Sequence, residues 1–141
     1  LSFVCVDASF ALKIVLPEKE SGLVSRMWEK WGNEDTTIIA PWLFAFEAMS
    51  VLRQKVTGRS ITPREGWTAW ETLLDLCIEL RHHENLWKRA WELALRYHRP
   101  TIYDTSYLAL AEMFDCDLWT TDRRFLNAVG GQESRLRSPG V

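Results

Sequence analysis

The chain has 141 residues, of which 47% are apolar and 26% charged, the composition of one globular domain that buries roughly 70% of its unfolded surface. With 17 basic residues against 19 acidic ones the formal net charge is −2, which excludes a nucleic-acid binder working through overall positive charge alone. No apolar run approaches the ~18 residues that span a bilayer, and no charged n-region precedes an apolar h-region, so a cytoplasmic location without membrane contact is expected.

The chain begins at Leu1, from which we expect an initiator Met and a few residues to be missing. Cys5, Cys77 and Cys116 are odd in number, far apart and embedded in apolar sequence. Buried free thiols in a reducing compartment are therefore expected, rather than disulfides or a zinc site. The eight tryptophans fall mostly in helix-like segments and point to core or interface packing.

The elements alternate along the chain. Phe3 to Val6 is a short β-rich run, and Ser9 can cap a helix to about Leu16, stopped by Pro17. A second helix is expected from about Ser21 to Trp31, then a strand from Thr37 to Ala40. A third helix runs from Trp42 to Val56 and ends near Gly58. Thr62-Pro63-Arg64-Glu65 combines a Thr cap, Pro at N1 and Glu at N3, a capping box that opens a helix to about Asp75. Cys77 to Arg81 reads as a strand, Asn85 to Tyr97 as a helix and Asp104 to Phe114 as another. Leu118 to Thr120 is a strand, Asp122 to Val129 a helix, and Arg135 to Arg137 a final short strand. No repeat or linker divides residues 1–141. This alternation implies one α/β domain with a parallel sheet covered on both faces.

Four acids stand out against that layout. Asp7 follows the first strand directly and Asp122 follows a later strand by a residue or two, so both leave the same edge of a parallel sheet, where ligands bind at the topological switch point. Glu47 shares a helix face with Leu43 and Val51, where an unpaired carboxylate is costly to bury. Asp104 opens a helix as an N-cap would. Carboxylates gathered in one place repel one another unless a hard cation such as Mg²⁺ or Mn²⁺ sits among them. A metal-dependent enzyme is thus the first hypothesis.

Other motifs are absent or weak. His82, His83 and His98 lack the spacing of a zinc site. Neither a glycine-rich phosphate loop nor a Gly-x-Ser-x-Gly elbow occurs. Asp115 and Asp117 read as turn residues before a strand. Basic residues gather in three stretches: Arg53 to Arg64, Arg81 to Arg99 and Arg123 to Arg137. Such stretches can hold a phosphate backbone or form a solvated surface of mixed charge.

Val4-Cys5-Val6-Asp7-Ala8-Ser9, Glu47 after Pro41-Trp42-Leu43-Phe44-Ala45-Phe46, Tyr103-Asp104-Thr105-Ser106-Tyr107-Leu108 and Leu118-Trp119-Thr120-Thr121-Asp122-Arg123-Arg124-Phe125 together resemble the PIN domain. Within that family they are most similar to the VapC-type toxin ribonucleases of VapBC toxin–antitoxin pairs. The resemblance spans nearly the whole chain, with all four acids in order. It implies a three-layer α/β/α sandwich with a central parallel sheet and a Mg²⁺- or Mn²⁺-dependent endoribonuclease acting on RNA. Asp7, Glu47, Asp104 and Asp122 would form the acidic quartet, with Ser9 and Thr121 as small hydroxyls that bond the acids or the water around the ion. The resemblance further implies a homodimer silenced by a VapB-type antitoxin.

Asp7 and Asp122 are the expected direct ligands, because strand ends are rigid supports. Asp104 would complete the site, and Glu47 would bind directly or orient water. Two rivals remain in view. One is a catalytically silent PIN-fold module that binds RNA or protein. The other is a phosphoryl-accepting receiver, which needs paired acids after the first strand and a late lysine that Thr121-Asp122 does not offer.

Overall fold

Five parallel strands in the order β3-β2-β1-β4-β5 form the centre of the molecule. The computed structural model describes residues 2–140. In chain order these run β1 (Phe3–Val6), α1 (Ala8–Val15), α2 (Ser21–Asn33), β2 (Thr37–Pro41), α3 (Leu43–Thr57), α4 (Pro63–Leu74), β3 (Glu79–Arg81), α5 (Leu86–Arg96), α6 (Tyr103–Met113), β4 (Leu118–Trp119), α7 (Arg123–Val129) and β5 (Leu136–Arg137).

The strand order dictates the layers. From β1 the chain steps outward through β2 to β3, then returns past β1 to β4 and on to β5. Right-handed crossovers put α1 to α4 on one face and α5 to α7 on the other. In accord with this, α1 packs on α2, α3 and α4, while α5 packs on α6. The expected three-layer α/β/α sandwich is the observed architecture. The direction of winding reverses beside β1, so the crevice between the ends of β1 and β4 is the switch point.

The central strands owe their place to unbroken apolar runs, the signature of strands buried on both faces. Cys5, Val6, Ile39, Ala40 and Leu118 are fully buried, and β1 registers Cys5 against both Ile39 and Leu118. On the α1 side, Phe10 stacks on Trp28 and packs against Trp31 and Trp119 with centroids 5.6–6.3 Å apart. Tyr107 is the largest fully buried side chain.

The capping box at α4 forms in full: the Thr62 hydroxyl accepts from Glu65 N–H, and Glu65 Oε1 accepts from Thr62 N–H. Four expectations need correction. The cap of α1 is Asp7, whose Oδ1 accepts from Phe10 N–H; Ser9 lies within the first turn and donates its hydroxyl to the Asp7 carboxylate. Strand β3 begins only at Glu79, because the chain turns through a left-handed Cys77 (φ 57°). That turn leaves Cys77 exposed, whereas Cys5 and Cys116 are buried as expected. Asp104 sits inside the first turn of α6 rather than at its cap, which is Ile102.

Candidate active site

Each acid reaches the switch-point crevice by a different route. Asp7 continues the line of β1, its N–H still bonded to Trp119 O at 3.2 Å. An extended backbone at φ −95°, ψ 174° lets it end the strand and open α1 at once. The residue is only 6% exposed, and both carboxylate oxygens are engaged. Oδ1 accepts from the Ser9 hydroxyl at 2.7 Å and from Phe10 N–H at 2.9 Å, and Oδ2 accepts from the Thr120 hydroxyl. Burial nonetheless pushes its pKa up to about 7; the three hydrogen bonds oppose that rise, and the charge of Asp104 adds to it.

Asp122 leaves β4 in the same direction. It caps α7, Oδ1 accepting from Arg124 N–H at 3.0 Å and Phe125 N–H at 3.3 Å. Its own N–H donates to the Thr120 hydroxyl oxygen, and Thr121 N–H donates to the Ser9 hydroxyl oxygen, each at 3.0 Å. Two small hydroxyls therefore stitch the start of α1 to the loop after β4 and fix the two strand-borne acids relative to each other.

Glu47 and Asp104 arrive on helices from opposite layers. Glu47 lies one turn into α3, and its Oε1 accepts from the Tyr107 hydroxyl at 2.5 Å. Burial raises its pKa first, against that hydrogen bond, and the charges of Asp104 and Asp122 raise it further. Asp104 is raised by burial and then by Asp122, with Arg99 opposing from 3.5 Å. Asp7, Glu47, Asp104 and Asp122 all line one open cleft of about 360 Å³, together with Ser9 and Thr121.

The donor set suits a hard divalent cation. All four are carboxylates, among the described residues neither thiol nor imidazole lines the cleft, and burial first, with the charge of neighbouring acids adding to it, raises the pKa of three of the four. Among the described residues no three His, Cys, Asp or Glu side chains lie close enough to grip an ion between them. An ion placed among the four carboxylates would need water to complete its coordination shell.

Residues 4–131 match the PIN domain family. This chain belongs to the PIN domain family. It is 28% identical over 127 residues to Ribonuclease VapC12 of Mycobacterium tuberculosis, from strains CDC 1551 / Oshkosh and ATCC 25618 / H37Rv, covering 90% of this chain and 92% of each relative. Two crystal structures share the fold at a TM-score of 0.65. PAE2754 from Pyrobaculum aerophilum is 20% identical, over 92% of this chain and 81% of that one. VapC20 of Mycobacterium tuberculosis, a Sarcin-Ricin loop cleaving toxin, is 18% identical, over 89% and 95% respectively.

The PIN domain here uses residues that sequence reasoning passed over. Tyr107 lies three residues beyond Asp104 on α6, a spacing that puts both on one helix face. The hydroxyl that bonds Asp7 from the β4 loop belongs to Thr120, while Thr121 lines the cleft and contributes its backbone N–H. Lys13 stands one turn beyond Ser9 and also lines the cleft. The basic stretches are partly neutralised: Arg89 binds Glu112 through two N–H groups at 2.9 Å, Arg135 binds Asp115 and Arg137 binds Asp117.

Proposed function

We propose that this PIN domain is a Mg²⁺- or Mn²⁺-dependent endoribonuclease that hydrolyses RNA phosphodiester bonds, and that it is the toxin of a type II toxin–antitoxin pair restrained by a VapB-type antitoxin. The observation that carries the reading is the convergence of Asp7, Glu47, Asp104 and Asp122 on one cleft at the switch point. The ribonuclease relatives at 28% identity support the same chemistry.

When bound, a divalent ion would supply Lewis-acid polarisation of the phosphate and a more acidic water. Asp122 would hold the ion through Oδ2, which takes no hydrogen bond from the described residues. Asp7, clamped from three sides, would fix the ion's position, and Asp104 would complete the site. Glu47 would orient the attacking water, with Tyr107 setting the rotamer of its carboxylate. Ser9 and Thr121 would support this shell.

The chain would act as one domain over residues 1–141, in the cytoplasm. Among the described residues no helix is long and apolar enough to cross a membrane. A homodimer, or the antitoxin, would cover the exposed Trp42, Phe46, Trp87, Trp91 and Leu95, which are 58–77% accessible.

The test is cleavage of a fluorescently labelled single-stranded RNA with Mg²⁺ or Mn²⁺. Wild type should cut it and Asp7→Asn should not. Firm binding without cleavage by wild type would overturn the proposal in favour of a silent binding module.

A further inference from the structure

The acidic cleft has a basic end. Beyond the four acids it is lined by Lys13, Glu18 and Lys55. Glu18 bridges the two lysines: Lys13 Nζ donates to Oε2 at 2.7 Å and Lys55 Nζ stands 3.0 Å from Oε1. Glu18 is itself fixed in the turn after Pro17, where its N–H donates to the Ser21 hydroxyl at 2.8 Å. Neither lysine pairs with Asp7, Glu47, Asp104 or Asp122 among the described residues.

Helical spacing aims this group along the cleft. Lys13 is one turn from Ser9 on α1. Lys55 lies two turns from Glu47 on α3, with Val51 between, so its Cα is about 12 Å further along the axis. Both lysines line the same cleft as the acids, yet their ammonium groups are drawn to Glu18 rather than to the quartet, which places them for a phosphate beside the one over the acids. Two ammonium groups against one carboxylate leave a net +1. Each ammonium carries three N–H donors, of which Glu18 occupies one. The side chain of Lys13 is only 17% accessible, more enclosed than a surface tether of little energetic value requires.

A polyanion entering a cleft of four carboxylates meets repulsion that must be offset locally. Arg99 is committed to Asp104, and Lys13 and Lys55 are the only cationic side chains among the described residues lining the cleft.

We infer that Lys13 and Lys55, held apart and aimed by Glu18, form a seat for a backbone phosphate of the RNA strand next to the linkage that is cut. The inference rests on the nuclease reading and names a specificity element for it: the seat fixes which way the strand lies across the acids. Glu18 is a positioning residue; the lysines touch substrate.

Binding is measured by fluorescence anisotropy with a labelled single-stranded RNA 12-mer and the full chain in EDTA, where turnover does not intrude, over a NaCl series. Lys13→Met and Lys55→Met should each weaken binding about tenfold and make the log Kd against log[salt] slope shallower by about 1. Lys→Arg at either position should restore both. An RNA with one uncharged methylphosphonate linkage, moved position by position, should lose affinity for wild type at one site and lose nothing further in the Met variants. That non-additivity is a readout a structural tether would not give. In steady state with Mn²⁺ the Met variants should raise KM and leave kcat near wild type.

Met variants with wild-type affinity, slope and methylphosphonate pattern would overturn the seat, even where the enzyme cleaves normally. A wild type that shows the lysine-dependent binding but never cleaves would sink the nuclease reading and leave the seat standing.

Discussion

The strand-borne acids and the helix-borne acids of this cleft are held in opposite ways. Asp7 is buried, with every carboxylate contact made to groups within its own loop or the adjoining strand end. Glu47 and Asp104 are half-buried, each steadied by a single side chain, Tyr107 or Arg99. The sheet edge thus supplies a fixed point, while the helices from the two layers bring adjustable arms to it. Burial raises all three pKa values, so keeping these carboxylates ionised costs the folded chain stability.

Replacing the fixed point should have the largest effect. Asp7→Asn is expected to reduce RNA cleavage by roughly 10²–10³-fold or more, while the folded chain becomes more stable at pH 8. The sign follows from linkage. Asp7 has a pKa of about 7 when folded against about 3.9 in an unfolded chain. Its contribution is therefore complete below pH ~4, is lost as the pH rises towards 7, and changes no further above that. Thermal melts from pH 4 to 8 should show this decline in wild type and a flatter profile in Asp7→Asn.

The adjustable arms should cost less. Asp104→Asn is expected to slow cleavage about 10–100-fold. Because the charge of Asp104 raises both Asp7 and Glu47, its removal should also move the acidic limb of the pH–rate profile to lower pH. Wild-type pH dependence in this variant would show that the two sets of acids do not share a field. Tyr107→Phe removes one hydrogen bond from Glu47, worth about 1 kcal/mol, and should lower kcat about fivefold with little change in KM. Smallest for activity is Thr62→Ala, far from the cleft. It should cost about 1 kcal/mol of stability through the α4 cap and leave cleavage rates unchanged.

What could be read from the chain divides along the same line. Asp7 and Asp122 were legible because a parallel strand fixes the direction in which its last residue leaves the sheet. Glu47 was legible because a carboxylate on an apolar helix face needs a reason. Thr120 and Tyr107 were not, since their partners lie 113 and 60 residues away and only the tertiary fold selects one hydroxyl over its neighbour. Asp7 and Ser9 are both good capping residues two positions apart, so composition alone did not choose between them. The aromatic residues show the same limit: Trp31 is buried while Trp42, Trp67, Trp87 and Trp91 are exposed, although all five lie in helix-like sequence.

The most direct test of the shared cation site is the melting temperature of the full chain at pH 8 across a Mn²⁺ series to millimolar concentration, in wild type, Asp7→Asn and Glu47→Gln. An ion bound only by the folded form raises the wild-type melting temperature by linkage, and the rise should be largely lost in Asp7→Asn and blunted in Glu47→Gln. A wild-type melting curve that does not move, or one that moves equally in all three proteins, would contradict a cation held among these acids.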